Sequence, residues 1–457
     1  MTKSSPETLS LARLIQDGTG GDRVVATRDY VLPLHGFARG TSLGHLSRLE
    51  GRSVVLSVRD MAKAVAALID LDGCARRILL CPPGWETWRL EAAARDADAD
   101  ALVYDDEDPG AARRIRIEFA APSRLPLRPL VSPRATSRVT EWILPTSGTS
   151  GPPKLVAHTL RTLMGAIADA PLQQWATFYD IRRYGGLQIF LRAISGQGSL
   201  ILGGEGESIS SLLSRFGAAN ITHISGTPSH WRKVLMSGDG RQIDPKYVRL
   251  SGEIADDAVL GALHKLYPCA RIEHAYASTE AGVVFAVDDG KAGFPASWLE
   301  KHGAVQMKVV DGSLCVRSDR CALRFLDAGA PALGGEDGFV DTGDMVERRV
   351  DRIYFVGRRG GVINVGGAKV HPEEVEAALN AHEAVRASRV FGRKNPITGA
   401  LIFADVVLRD ERVAHAESER EILAVCRARL APHMVPARLR FVAELPMTDG
   451  GKLARHG

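Results

Sequence analysis

The 457-residue sequence predicts an α/β fold class, with a large N-terminal domain of α/β layers followed by a small α+β domain. Three observations carry that reading. Short apolar runs alternate with stretches of helical spacing through the first two-thirds of the chain. Several of these runs end in clusters of Gly, Ser, Thr and Glu, and ligands of open α/β sheets gather at such strand ends. From about Gly293 the strands shorten, and the last hundred residues carry two helical stretches among strands.

The first 135 residues supply "RSVVLSV" and "RRILLCPP" as buried strands and "MAKAVAALIDL" as a helix. "DDEDPGAARR" reads as a charged turn, and the prolines of "APSRLPLRPLVSPRATS" as an irregular connector. "VTEWILPT" and "LVAHT" are strands on either side of a small-residue loop, and Thr159 is placed to cap the helix "LRTLMGAIADA". "GSLILGG", "NITHISGTP", "YVRLSGE" and "RIEHAYAS" repeat a strand-then-turn pattern, which predicts a parallel or mixed sheet. "VQMKVV", "SLCVRS", "GFVDTGD" and "RIYFVGR" are the shorter strands that follow. "HPEEVEAALNAH" and "ESEREILAVCRARLA" are the terminal helices, with "SRVFG" and "LIFADVVL" as strands.

Composition excludes several classes. The chain is 45% hydrophobic and 25% charged, with a net charge of +4 spread over interspersed acidic and basic residues. That is a globular composition without the basic tail or aromatic motif of a nucleic-acid binder. Cys74, Cys81, Cys269, Cys315, Cys321 and Cys426 form no CxxC pair or zinc spacing, the pattern of reduced thiols inside a cell. The start lacks an apolar leader, and no segment approaches about 18 uninterrupted apolar residues, so a cytoplasmic protein without a membrane span is expected.

Four stretches carry candidate chemistry. In "TSGTSGPPK", Thr146, Ser147, Gly148, Thr149, Ser150, Gly151 and Lys154 offer amides, hydroxyls and one cation to an anion. It is not a P-loop, because two prolines separate Gly from Lys. A solvated surface loop would have the same composition. In "AYASTEAG", Tyr276 can stack on a flat base, Thr279 donate to a phosphate and Glu280 bind Mg2+; a plain strand-end turn is the alternative. In "DTGDMVE", Asp344 is a candidate acceptor for two ribose hydroxyls, or a turn carboxylate facing water. In "LPMTDGGKLARHG", two glycines precede Lys452, which either reaches a distant site or belongs to a basic tail. His158, His223 and His274 lack metal spacing and read as structural.

Taken in order, these stretches resemble the superfamily of adenylate-forming enzymes that includes acyl- and aryl-CoA synthetases, nonribosomal adenylation domains and firefly luciferase. "TSGTSGPPK" is similar to its phosphate loop, "YASTE" to its adenine and Mg2+ motif, and "TGD" to its ribose-binding motif. "GRRGGVINVGGAKVHPEEVE" resembles its hinge and CoA channel, and "PMTDGGKLAR" its catalytic-lysine motif; the likeness runs from about Thr140 to the end. The resemblance implies a large domain over 1–357 that binds ATP and acid, and a mobile lid over 358–457. It implies an ATP- and Mg2+-dependent ligase forming an acyl-adenylate and then a thioester with CoA. Lys452, Thr279 and Glu280 would be catalytic, with Ser251, Gly252, Glu253 and Arg358 joining Tyr276 and Asp344 around the nucleotide. Gly366 and Gly367 would line the CoA path, and Arg359 and Gly360 would form the hinge. A separate carrier protein's phosphopantetheine is the alternative acceptor, and a nucleotide-binding pseudoenzyme the alternative class.

Three departures from the family pattern stand out. Gly360 occupies the hinge position where Asp or Lys is usual, and Ala277 replaces a glycine. In the acid-pocket segment "FYDIRRYGGLQIF", Arg183 and Tyr184 stand before Gly185 and Gly186. Arg183 would meet a substrate carboxylate or a second anionic group, or else pair with Asp180 three residues earlier; Tyr184 would line the acyl channel. Together with Ala277 these favour a short-to-medium or aryl acid.

Overall fold

The computed structural model describes residues 9–16, 22–83, 85–105, 115, 117–134, 138–146, 154–164, 173–204, 206–327, 329–330, 332–365, 368–395, 399–409, 416–447 and 453–454. The chain forms a large α/β domain and a small C-terminal domain. One eight-stranded sheet runs in the order Gly282–Val287, Arg271–Ser278, Tyr247–Ser251, His223–Gly226, Gln174–Thr177, Ser199–Leu202, Val24–Ala26, Val31–Pro33. Its inner strands are parallel and only the two edge strands run antiparallel. A parallel sheet is covered on both faces, which is why these strands read as continuous apolar runs. Their carboxyl ends, at Thr177, Gly226, Ser251 and Ser278, therefore emerge along one edge.

The second eight-stranded sheet runs Arg324–Phe325, Leu155–Thr159, Glu141–Pro145, Arg77–Leu80, Ser53–Ser57, Ala101–Tyr104, Phe119–Pro129, Gly40–Leu43. Leu56, Leu68, Ile78, Trp142, Leu187, Phe190 and Leu200 belong to one buried cluster that joins the two sheets. Inside it, Trp142 Nε1 donates to Asp72 at 2.9 Å, and the other Asp72 oxygen accepts from the Leu11 amide at 2.8 Å. Burial pushes the Asp72 carboxyl up to about 6. Thr159 does cap the helix that follows it: its Oγ1 accepts from the Thr162 amide at 3.4 Å.

One expectation is corrected. The first half of the proline-rich stretch expected as an irregular connector belongs to the strand Phe119–Pro129, while 130–134 are irregular and 135–137 lie outside the described residues. Prolines weaken a strand by withholding donors. This one shares the load between two short neighbours: Phe119–Pro122 pairs parallel with Ala101–Tyr104, and its second half pairs with Gly40–Leu43.

The five-stranded antiparallel sheet contains Val340–Arg349 and Arg352–Arg358 and leads to one 3-10 turn, Arg359–Gly361. Beyond it a separate buried cluster begins at Val365 and includes Val375, Leu379, Val390, Ile402, Ile422 and Leu439. The helices Pro372–Asn380 and Ala416–Arg429 and the sheet Val385–Asn395, Gly399–Leu408, Arg438–Phe441 build this small domain. It meets the large domain at Gly357, where φ is +145° and an added Cβ would lie 2.5 Å from Glu373 Oε2 and 2.9 Å from His371 Nδ1. Only glycine allows that approach.

Candidate active site

The turn after Arg271–Ser278 is held from three sides. Ser278 Oγ accepts from the Ala281 amide at 3.0 Å, closing the turn that presents Thr279 and Glu280. His158 Nε2 donates to the Thr279 carbonyl at 2.7 Å, and the Ala322 amide donates to the Glu280 carbonyl at 2.8 Å. Burial holds His158 down to about 4, so it stays neutral in this structural role. The next amide, Leu323, donates to the Ala157 carbonyl at 2.7 Å. Residues 320–326 thus stitch the Thr279–Glu280 turn to the strand that leaves the small-residue loop.

That loop is closed at its base by the pairing of Glu141–Pro145 with Leu155–Thr159 and by the Thr146 amide, which donates to the Lys154 carbonyl at 2.8 Å. Thr146 and Lys154 therefore flank it as expected, and Lys154 is exposed. Ser147, Gly148, Thr149, Ser150 and Gly151 lie outside the described residues, as do Gly366, Gly367 and Lys452.

Three more candidate residues converge. Tyr276 donates its hydroxyl to Asp344 Oδ2 at 2.6 Å, and Arg358 Nε donates to Asp344 Oδ1 at 2.8 Å. Burial, and then the Asp344 charge, hold the Tyr276 hydroxyl well above its ordinary range, so it remains a donor. The Tyr276 ring stacks on Phe355 with centroids 4.5 Å apart. Glu280 acts electrostatically on Arg358. Among the described residues its carboxylate has no hydrogen bond or ion pair. A carboxylate oxygen without a partner suits a hard cation such as Mg2+, which takes one or two protein carboxylates and fills its remaining positions with phosphate and water.

At the neighbouring strand end, Gly252 adopts a left-handed φ of +87° and Tyr179 donates to the Ser251 carbonyl at 2.7 Å. Glu253 then accepts from two amides, Ser229 at 2.9 Å and Leu453 at 3.0 Å. The second bond joins the small domain's tail to the large domain. Met447 and Leu453 form an antiparallel bridge, the Ala454 amide donates to the Pro446 carbonyl at 2.9 Å, and Arg389 donates to the Ala454 carbonyl at 3.2 Å. The hairpin ends on either side of 448–452 are therefore fixed at the strand-end edge. Arg359 pairs with Asp341 at 2.8 Å, beside Gly360.

The pairing offered for Asp180 is also corrected. Its carboxylate holds Arg182, not Arg183, through Nε at 2.7 Å and Nη2 at 2.9 Å. Arg182 in turn binds the Val58 carbonyl at 2.8 Å. Asp180 thereby has a structural partner in Arg182. Arg183 gives Asp180 only its backbone amide, at 3.1 Å to the carbonyl. Gly185 lies against the Tyr179 ring, and Tyr184 opens the helix Tyr184–Ser195 with its ring 6.0 Å from that of His158. Sequence reasoning missed Phe355, Ser229 and Arg389. Phe355 sits in an ordinary alternating strand, and the other two act through the backbone or on it, so no residue-type signal marks them.

The family model for AMP-binding enzymes matches residues 50–321, and that for the AMP-binding enzyme C-terminal domain matches 374–452. The chain belongs to the AMP-binding enzyme family. A 2-succinylbenzoate–CoA ligase of Geobacillus sp. (strain WCH70) is 27% identical over 69% of this chain and 67% of its own length. A second 2-succinylbenzoate–CoA ligase, from Bacillus velezensis, is 25% identical over 90% of this chain and 83% of its own length. Among solved structures, the anthranilate CoA ligase AuaEII in complex with anthranoyl-AMP superposes with a TM-score of 0.82 at 18% identity. The superposition covers 98% of this chain and 96% of that one. This AMP-binding enzyme therefore shares the two-domain architecture of that ligase.

Proposed function

We infer that this enzyme is an acid–thiol ligase, which activates a carboxylic acid with ATP and passes the acyl group to CoA. The observation that carries the reading is the convergence of Tyr276, Asp344 and Arg358 at the edge where Glu253 receives the Leu453 amide. In the first half-reaction the acid's carboxylate attacks the α-phosphorus of ATP, giving acyl-AMP and pyrophosphate. In the second the thiol of CoA attacks the acyl carbon and AMP leaves.

The residues divide the work. Two of the roughly four acceptor sites of Asp344 are taken by Tyr276 and Arg358, which fixes the carboxylate and leaves the others for ribose hydroxyls. Tyr276 borders the base. Thr146 through Lys154 receive the β- and γ-phosphates, with Thr279 donating to phosphate oxygen. Glu280 would hold Mg2+, which when bound offsets phosphate charge. Lys452 bridges the incoming carboxylate and the α-phosphate, where two anions approach each other. A charge at about 4 Å in an effective dielectric near 20 contributes roughly 4 kcal/mol. Ser251 and Gly252 border the nucleotide, and Ala277 borders the acid. Between the two steps the small domain, 358–457, turns about Arg359 and Gly360, and Gly366 and Gly367 come to line the pantetheine path. The use of ATP and CoA favours a cytoplasmic reaction; among the described residues no helix is long and apolar enough to cross a membrane.

Pyrophosphate release over a panel of carboxylic acids with ATP–Mg2+, with and without CoA and with products identified by mass, tests this. Acid-dependent release with an acyl-CoA product is the expected result. Acyl-AMP that persists despite CoA would transfer the second step to a carrier-protein thiol. Nucleotide binding with no release from any acid would overturn the reading.

A further inference from the structure

Below the strand ends, two half-buried arginines of the large domain stand beside a buried ion pair without carboxylate partners of their own among the described residues. Side chains alternate along a strand, so Arg249 shares a face with Ser251, and its register partner Glu273 shares one with Ala275. Arg249 is buried, engages Glu273 and sets its Nη1 3.2 Å from the Tyr247 hydroxyl. Glu273 also lies 3.5 Å from Arg271, an exposed arginine whose closer partner is Asp288 at 3.0 Å, so Glu273 serves chiefly Arg249.

Two more arginines enter from other elements. Arg192 comes from the helix Tyr184–Ser195, and Arg320 from the turn after Ser313–Ser318, the segment stitched to Glu280. Among the described residues neither side chain has a hydrogen bond or ion pair. Each nonetheless interacts electrostatically with the cluster. Burial first, and then repulsion by Arg249, with Arg320 contributing further, hold Arg192 down to about 10. The Tyr184 hydroxyl is buried with no hydrogen-bond partner among the described residues, and the same three guanidinium groups act on it. Withdrawing cations and a hydroxyl donor from water without an acceptor is costly, so the arrangement calls for an anion.

Resting on the acid-activating reading above, we propose that the substrate is a dicarboxylic acid whose distal carboxylate is received by Arg192, Arg320 and the Tyr184 hydroxyl. Its other carboxylate meets ATP at the strand ends. Arg249 lies two residues before Ser251, about 7 Å along the strand, which favours a compact diacid built on a short alkyl chain or a single ring. Arg249 and Glu273 set the floor of the subsite and orient the cluster.

The test compares each diacid with its own half-ester, which keeps length and one carboxylate but removes the distal charge. Pyrophosphate release is measured for adipate against monomethyl adipate, and for benzene-1,3-dicarboxylate against its monomethyl ester. A charge-assisted contact predicts that kcat/KM favours the diacid by about tenfold to about a hundredfold, chiefly through KM. In Arg192→Met and Arg320→Met the ratio falls toward one. Because both substrates are read on the same preparation, partial unfolding of a variant cancels from the ratio, and the wild-type comparison needs no variant. Half-esters used as well as or better than the diacids would overturn the proposal and leave the ligase reading standing. A diacid preference that survives both substitutions would overturn the assignment to these arginines. No release from any acid would overturn the ligase reading and the proposal with it.

Discussion

Replacing Glu253 separates docking of the small domain from nucleotide chemistry. The carboxylate accepts from the Ser229 amide at 2.9 Å within the large domain and from the Leu453 amide at 3.0 Å across the domain boundary. A hydrogen bond to a charged group contributes about 1.5–3 kcal/mol. In Glu253→Ala the Leu453 bond is lost from the docked arrangement alone, so the docked population falls by roughly ten- to a hundredfold relative to the undocked one. Acid-dependent pyrophosphate release should drop by about that factor. Glu253→Gln keeps one carbonyl acceptor, and a neutral bond is worth only about 0.5–1.5 kcal/mol, so its loss should be about tenfold or less. The paired assay supplies purified acyl-AMP and follows thioester formation from CoA, which does not use the docked tail and should hold near the wild-type rate. Equal losses in both half-reactions would refute this reasoning and make Glu253 a nucleotide ligand or a folding residue instead.

Further outcomes are expected. Lys452→Ala should lose pyrophosphate release by about two to three orders of magnitude, yet form thioester from supplied acyl-AMP; normal release would remove Lys452 from the first step. Asp344→Ala strips partners from Tyr276 and Arg358 and should raise the KM for ATP by about tenfold or more, read by initial rates at varied nucleotide. Gly357→Ala forces a Cβ to 2.5 Å from Glu373 at a left-handed φ and should lower the unfolding free energy by about 1–3 kcal/mol, measured by urea titration. His158, held down to about 4 by burial, contributes stability that is complete above pH 6.5 and lost as pH falls toward 4. Its share of the slope is about 1.4 kcal/mol per pH unit, and His158→Gln should flatten the urea midpoint against pH accordingly.

Most of the architecture was legible because periodicity and turn residues are local signals. The strands "RIEHAYAS", "VQMKVV" and "SLCVRS" lie at Arg271–Ser278, Val305–Val310 and Ser313–Ser318. The strand Phe119–Pro129 was illegible because its prolines are tolerated through two part-length neighbours, and strand pairing does not show in composition. Tyr276, Asp344 and Arg358 could be marked by residue type, and the tyrosine–aspartate bond between them follows only from the fold. Asp180 illustrates the opposite case. Residue spacing offered Arg183 as its partner, and the fold assigns the neighbouring Arg182 instead. The arginines at 192, 249 and 320 stand far apart in the chain and each looks ordinary alone.

The stitch over residues 320–326 has a mechanical consequence. The same short segment carries Arg320 toward the acid, holds the Glu280 carbonyl and braces the strand that leaves the phosphate loop. Enlarging the acid cavity there would move a beam that also supports the nucleotide. Changes of substrate preference in this enzyme should therefore come more readily through Arg192, on a helix outside that beam, than through Arg320.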